Sequence, residues 1–142
     1  MAKTSGLGAA ILVDDSGGTP RTISNDITNW QMATPRGVQD VTGVDKSAIE
    51  RILLLADFSV TFTGVANFTA TTSEHAVFST VPSTSVNRTT AISPIGTTTG
   101  NPKLANETLF TDYQVTRTNT GELTWQAPGV LADGTVPTWS TN

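Results

Sequence analysis

The sequence contains no cysteine and a single histidine. The first absence removes disulfides, thiolate metal sites and thiol nucleophiles, and favours synthesis in the cytosol over secretion. The second makes coordination of a metal by several histidines impossible. Long apolar runs are also missing. None exceeds five residues, as at 52–56, whereas a membrane-spanning helix needs about 20, so no membrane insertion is expected. Charge is sparse at 14% of residues, and the eight basic side chains are scattered from Lys3 to Arg117 against twelve acidic ones, a formal net of −4. Binding of nucleic acid by charge neutralisation is not expected from such a chain.

What is abundant is threonine, at 27 of 142 residues. Branching at Cβ restricts χ1 in a helix but suits a pleated, half-exposed surface. A chain of this length falls within the usual size of one domain and can bury a core without covalent help. One mainly β domain over residues 1–142 is the expectation.

Alternation with a period of two sends neighbouring side chains to opposite faces of a sheet. Phe58, Val60 and Phe62 alternate with Ser59, Thr61 and Thr63. Leu123, Trp125 and Ala127 alternate with polar neighbours, as do Tyr113, Val115 and Arg117. The linking Thr118-Asn119-Thr120-Gly121 offers positive φ for a tight turn, which predicts a hairpin over 112–127. The Asp15-Ser16-Gly17-Gly18 stretch suggests a second, between strands at 9–13 and 20–23. Residues 96–102 separate strands near 86–92 and 104–110.

Two segments break this pattern. Residues 73–81 begin with a capping-type Ser73 and stop at Pro82, which predicts a short helix. Ser47 and Glu50 have the spacing of a capping box, followed by at most about two helical turns. That second segment lies in a connection over about 35–56, long for a compact domain and of the kind that is functional or ordered by a partner. It carries Val38, Val41, Val44, Ile49, Ile52, Leu53, Leu54 and Leu55. These are too many apolar groups to leave in water, so a covering surface is expected.

No motif for chemistry stands out. His75 has Glu74 beside it, but adjacent positions on a helix do not face each other, and no Gly-x-Ser-x-Gly elbow is present. Asp14, Asp15, Asp57 and Asp112 fit turns and strand edges better than an acid–base pair. Gly6-Leu7-Gly8 precedes a strand instead of following one, so it lacks the setting of a phosphate loop and suggests an N-terminal arm over about 1–8. Acceptor patterns at Asn67, Asn87 and Asn106 are what chance yields in so threonine-rich a chain. Trp30, Trp125 and Trp139 fit core or interface anchors, with a sugar-stacking platform as the alternative. No catalytic, cofactor-binding or metal-binding residues are expected.

Four stretches carry a family resemblance: ITNWQMATPRGVQDVTGVD at 27–45, KSAIERILLLADFSVTFTGV at 46–65, HAVFSTVP at 75–82, and 109–125. They resemble, in order and over most of residues 23–139, the major tail protein of long-tailed siphophages, particularly a short form found in phages of actinobacteria. The turn at 96–102 departs from the family in being longer and rich in glycine and threonine.

The resemblance implies an antiparallel β-sandwich or flattened barrel with one flanking helix, the helix at 73–81. It implies a structural, non-enzymatic protein of the virion tail, made in the bacterial host cytoplasm. Six copies would close into a ring whose inner sheets join, and rings would stack into the tube through which DNA is ejected. The segment at about 35–56 would be the loop reaching neighbouring subunits, with Val38, Gln39, Asp40, Val41, Ile49, Arg51, Leu53 and Leu54 at the interface. Ser59, Thr61 and Thr63 would face the lumen, and residues from about 134 to 142 would form a C-terminal tail. Expected partners are further copies of itself, a tape-measure protein, terminator and initiator proteins, and phage DNA passing without specific binding; no cofactor is implied. Ring closure would also cover the sheet edges, and a negative channel would repel DNA phosphates. A head-decoration protein, a tail tube of a phage-derived particle and a carbohydrate-binding β-sandwich are the alternatives.

Overall fold

The computed structural model describes residues 3–142 as eleven strands, one short α-helix and one 3-10 turn. The strands are β1 Ala10–Asp14, β2 Pro20–Thr22, β3 Asn29–Ala33, β4 Arg36–Asp40, β5 Arg51–Ala56, β6 Ser59–Val65, β7 Arg88–Ser93, β8 Pro102–Phe110, β9 Gln114–Arg117, β10 Leu123–Leu131 and β11 Trp139–Thr141. The helix α1 is Glu74–Phe78, and the 3-10 turn is Ser24–Asp26.

All pairings are antiparallel, and the main sheet runs β2-β1-β7-β8-β10-β6-β3, with β9 on β10 and β11 on β8. The 3-10 turn joins β2 to β3 and brings the two ends of this order together. Ile11 N–H donates to Ser24 Oγ beside it, and Thr28 N–H donates to Thr63 O on β6. The sheet thereby wraps a single core in the manner of a flattened barrel, with α1 packed at its flank.

The core follows from the alternation. Val60 and Phe62 of β6 point inward with Phe58, and Ser59, Thr61 and Thr63 point outward. Phe110 lies between Phe62 and Phe78, with centroids 6.1 and 4.8 Å away, and Phe78 reaches Trp125 at 5.4 Å. The 112–127 hairpin forms as β9 and β10, its turn closed by Gly121 N–H on Thr118 O with Gly121 at φ +95°. β10 runs past Ala127 to Leu131, because Val130 and Leu131 find partners at Leu109 and Thr108 on β8. The stretch ending the chain contributes β11, in which Trp139 pairs with Leu104.

Two local expectations are corrected. The helix is shorter than 73–81. Ser73 Oγ does accept from Ala76 N–H at 3.2 Å, but the regular helix ends at Phe78, and residues 79–83 continue as turns. The capping box at Ser47 and Glu50 starts no helix. Glu50 N–H instead donates to Thr42 Oγ1 at 2.7 Å and Glu50 O accepts from Val41 N–H, which commits the following residues to β5. Cross-strand pairing with β4 satisfies the backbone groups that face it, whereas a two-turn helix with no packing surface is marginal in water.

Buried polar groups fasten α1 to the sheet. Arg88 is 1% exposed and donates to Val77 O at 2.9 Å, Asp14 O at 3.1 Å and Thr80 Oγ1 at 2.7 Å. It thus ties three segments without a carboxylate contact. Arg88→Ala leaves two carbonyls unpaired and is expected to destabilise the fold by about 2 kcal/mol, measured by chemical denaturation.

Asp26 accepts from Asn67 Nδ2 and from Glu74 N–H, both at 2.9 Å, while Trp125 Nε1 donates to Asp26 O at 3.0 Å. Glu74 is wholly buried, with Oε1 accepting from Asn67 N–H and Oε2 unpartnered. Burial pushes its carboxyl up from the ordinary 4.5. A carboxyl raised on folding contributes stability that is full below the unfolded value and is lost as pH rises through the folded one. Glu74→Gln keeps the acceptor and removes the charge. It is expected to gain about 1 kcal/mol at neutral pH, the gain vanishing near the unfolded pKa. Destabilisation at neutral pH that disappears near the unfolded pKa would show the carboxylate to be stabilising.

Candidate assembly surfaces

β4 and β5 form a two-stranded sheet of their own, leaving the main sheet between β3 and β6. Asp57 N–H donates to Pro35 O at its base, and at its tip Thr42 Oγ1 donates to Asp40 Oδ1 at 2.6 Å. That hydroxyl, followed by the Thr42 backbone N–H, holds the Asp40 carboxyl below its usual range. Val38 faces Leu53, Gln39 faces Ile52, and Asp40 faces Arg51 across the pair. A bulge between Arg36 and Val38 shifts the register, and Arg36 caps the irregularity by donating twice to Leu54 O at 2.8 and 3.1 Å.

The residues singled out in the sequence all come together on this hairpin. Val38, Gln39 and Asp40 lie on β4, with Val41 just beyond; Arg51, Leu53 and Leu54 lie on β5, with Ile49 just before. Apolar groups project from both of its faces, since Leu53 and Leu55 alternate with Ile52 and Leu54, and all four are exposed. Among the described residues no other element pairs with this sheet, and large apolar side chains stay exposed on both faces. An isolated two-stranded hairpin is marginal in water, and this one leaves a contiguous set of large apolar side chains exposed.

A second surface was only partly legible. Ser59, Thr61 and Thr63 share the outward face of β6, and the register extends that face over four strands. Thr61 lies opposite Gln31 and Pro128; Thr63 lies opposite Asn29 and Gln126; Ser59 lies opposite Ala33 and Val130. Gln126 and Thr124 continue to Gln114 and Thr116 on β9. No ionisable side chain stands on this face, and charge appears only at its rim, at Asp57 and Asp112 and at the Arg117 and Glu122 end. The neighbours on β3, β9 and β10 were missed because cross-strand register is not written in any one strand.

Other candidates acquire definite surroundings. His75 Nδ1 lies 3.1 Å from the Tyr113 hydroxyl, and its ring stands edge-on to Phe68 at 4.7 Å. Asp15 accepts from Gly17 N–H, Thr19 N–H and Arg21 in the β1–β2 turn, and Asp57 and Asp112 each accept from the next residue's backbone. Among the described residues no group of three or more histidines or carboxylates is placed to hold a metal ion. Trp125 is buried, Trp30 packs partly against the core, and Trp139 is 51% exposed. The three tryptophans therefore offer no common stacking platform.

No family profile and no curated protein matches the chain. Solved structures do. A chain of the tail of an empty gene transfer agent particle, refined with C6 symmetry, superposes with a TM-score of 0.70 at 16% identity over 99% of both chains. A chain of the six-fold-symmetrised baseplate of the anti-feeding prophage gives 0.69 at 8% identity, covering 99% of this chain and 97% of that one. A chain of the SPP1 tail tube gives 0.66 at 6% identity, covering 99% and 81%. The architecture is thus the tail tube fold, a mainly β, antiparallel flattened barrel with one flanking helix.

Proposed function

We propose that this chain is the subunit of a phage-type tail tube, a non-enzymatic virion protein that self-assembles into stacked rings enclosing the path of DNA. The observation that carries this reading is the β4–β5 hairpin: a tail tube fold matched over 99% of the chain projects an arm with apolar groups on both faces that none of the described residues covers. In this reading the chain is one tube domain over residues 1–142. The hairpin at about 35–56 reaches a neighbouring subunit, and residues 1–8, the first two of which lie outside the described residues, and 134–142 are the arm and tail. The interface is Val38, Gln39, Asp40, Val41, Ile49, Arg51, Leu53 and Leu54, and Ser59, Thr61 and Thr63 face the lumen. Six-membered rings, a tape-measure protein within the tube, and terminator and initiator proteins at its ends complete the assembly. The whole resides in the virion tail after synthesis in the host cytoplasm.

Negative-stain microscopy of the purified protein tests the proposal. Rings or tubes of uniform diameter are expected as concentration rises, and a chain that stays monomeric under every condition of concentration and salt contradicts it.

A further inference from the structure

We infer that the bore of the tube is walled by the outward face of β3, β6, β10 and β9 and that this wall carries no fixed charge. The inference rests on the conduit reading above and concerns how a polyanionic DNA duplex passes. Three observations select this face. It is a wide sheet surface, whereas the outward side of β7 and β8 bears Lys103 and Glu107 and is flanked by the 133–138 segment. Its outermost strands, β3 and β9, each have one unpaired edge, so copies set side by side extend the same face into a closed wall. The proposed interface arm also springs from β3 and returns into β6, which couples its docking to the alignment of this face.

On that wall the polar side chains offered to DNA are all neutral, among them the amides of Gln31, Gln114 and Gln126 and the hydroxyls of Thr61, Thr63 and Thr116. Lysine or arginine would bind phosphate and release counterions, a strong and salt-dependent attachment. Carboxylates would repel the duplex and concentrate cations. Neutral hydroxyls and amides exchange their hydrogen bonds with water at little net gain or loss. The net charge of −4 therefore resides at the rim of this face and on other surfaces, so in place of the negative channel expected from composition DNA meets a wall with neither electrostatic retention nor a repulsive barrier.

The absence of cysteine makes the test clean. Thr61→Cys and Gln126→Cys, on adjacent strands, are made singly, and each is labelled both as free subunit and in assembled tubes. A bulky polymer-maleimide reports access; a cationic trimethylammonium and an anionic sulfonate methanethiosulfonate report local potential. In tubes, the bulky reagent is expected to label at least tenfold more slowly than in subunits. The cation-to-anion rate ratio is expected to stay within about threefold of the subunit's at about 0.15 M salt, where a screening length of about 8 Å makes the wall itself, and not the carboxylates at its rim, the main contributor. A ratio that rises about tenfold and collapses with added salt overturns the uncharged wall. Unhindered bulky labelling at both positions overturns the placement in the bore while leaving tube formation intact. Failure of the unsubstituted chain to form tubes overturns the conduit reading, and this inference with it.

Discussion

A subunit carrying Ile49→Ser, Leu53→Ser and Leu54→Ser is expected to fold normally and to form no tubes. In the isolated chain these side chains are 62%, 58% and 42% exposed. Their strands pair only with each other, so their loss opens no cavity in the main core. The cost falls on association, because an apolar anchor contributes only once a partner removes it from water, at about 25 cal/mol per Å². Three such anchors lost from one arm, repeated at every subunit of a ring, exceed what a cooperative polymer tolerates. Far-UV circular dichroism and the thermal midpoint should match the unsubstituted protein while micrographs show no tubes. Tubes of ordinary length from this variant would remove the hairpin from the assembly mechanism. Hydrogen exchange gives an independent reading: amides of 36–56 should exchange quickly in the subunit and slowly in the tube, with unchanged protection contradicting the idea.

The sequence announced elements whose pattern is local and left silent those set by distant contacts. Phe58, Val60 and Phe62 alternate so cleanly that β6 and its buried face were legible from residue order alone, and the turn at Thr118 to Gly121 marked the β9–β10 hairpin. The apolar content of 35–56 marks the segment as one that leaves large side chains uncovered, and they are exposed, but its conformation differs from the expected helix. Ser47 and Glu50 have capping spacing, but pairing of Arg51–Ala56 with Arg36–Asp40 outcompetes a helix that has nothing to pack on. The breadth of the uncharged face, the Arg88 tie and the Asp26–Asn67–Glu74 network lay beyond sequence pattern. All depend on residues far apart in sequence, 74 positions for Arg88 and Asp14 and 48 for Asp26 and Glu74. A faint signal did exist for one packing constraint, since a glycine inside an alternating strand marks a close approach, and Gly64 sits inside β6.

Gly64→Ala is expected to be among the most destabilising single substitutions in the subunit. A Cβ built on Gly64 would meet Asp26 O at 1.8 Å and its carbonyl carbon at 2.9 Å, with Trp125 Nε1 also at 2.9 Å. None of these is the free end of a flexible side chain. Two are backbone atoms of the 3-10 turn that joins β2 to β3, and the third belongs to a 1% exposed indole held by its own hydrogen bond to Asp26 O. Relief requires the turn to retreat from β6. That movement breaks the Trp125 bond and pulls the Asp26 carboxylate away from Asn67 and from the first turn of α1. Overpacking of this kind costs about 1–3 kcal/mol, and leaving buried polar groups unpaired adds about 1–3 more. A total near 4 kcal/mol corresponds to a fall in thermal midpoint of roughly 13 °C for a domain of this size. As a control, Gly100→Ala places its Cβ in open space, so its only cost is a backbone at φ +93°. If Gly64→Ala loses no more stability than that control, the closure of the barrel through the 3-10 turn is looser than the packing around Asp26 indicates.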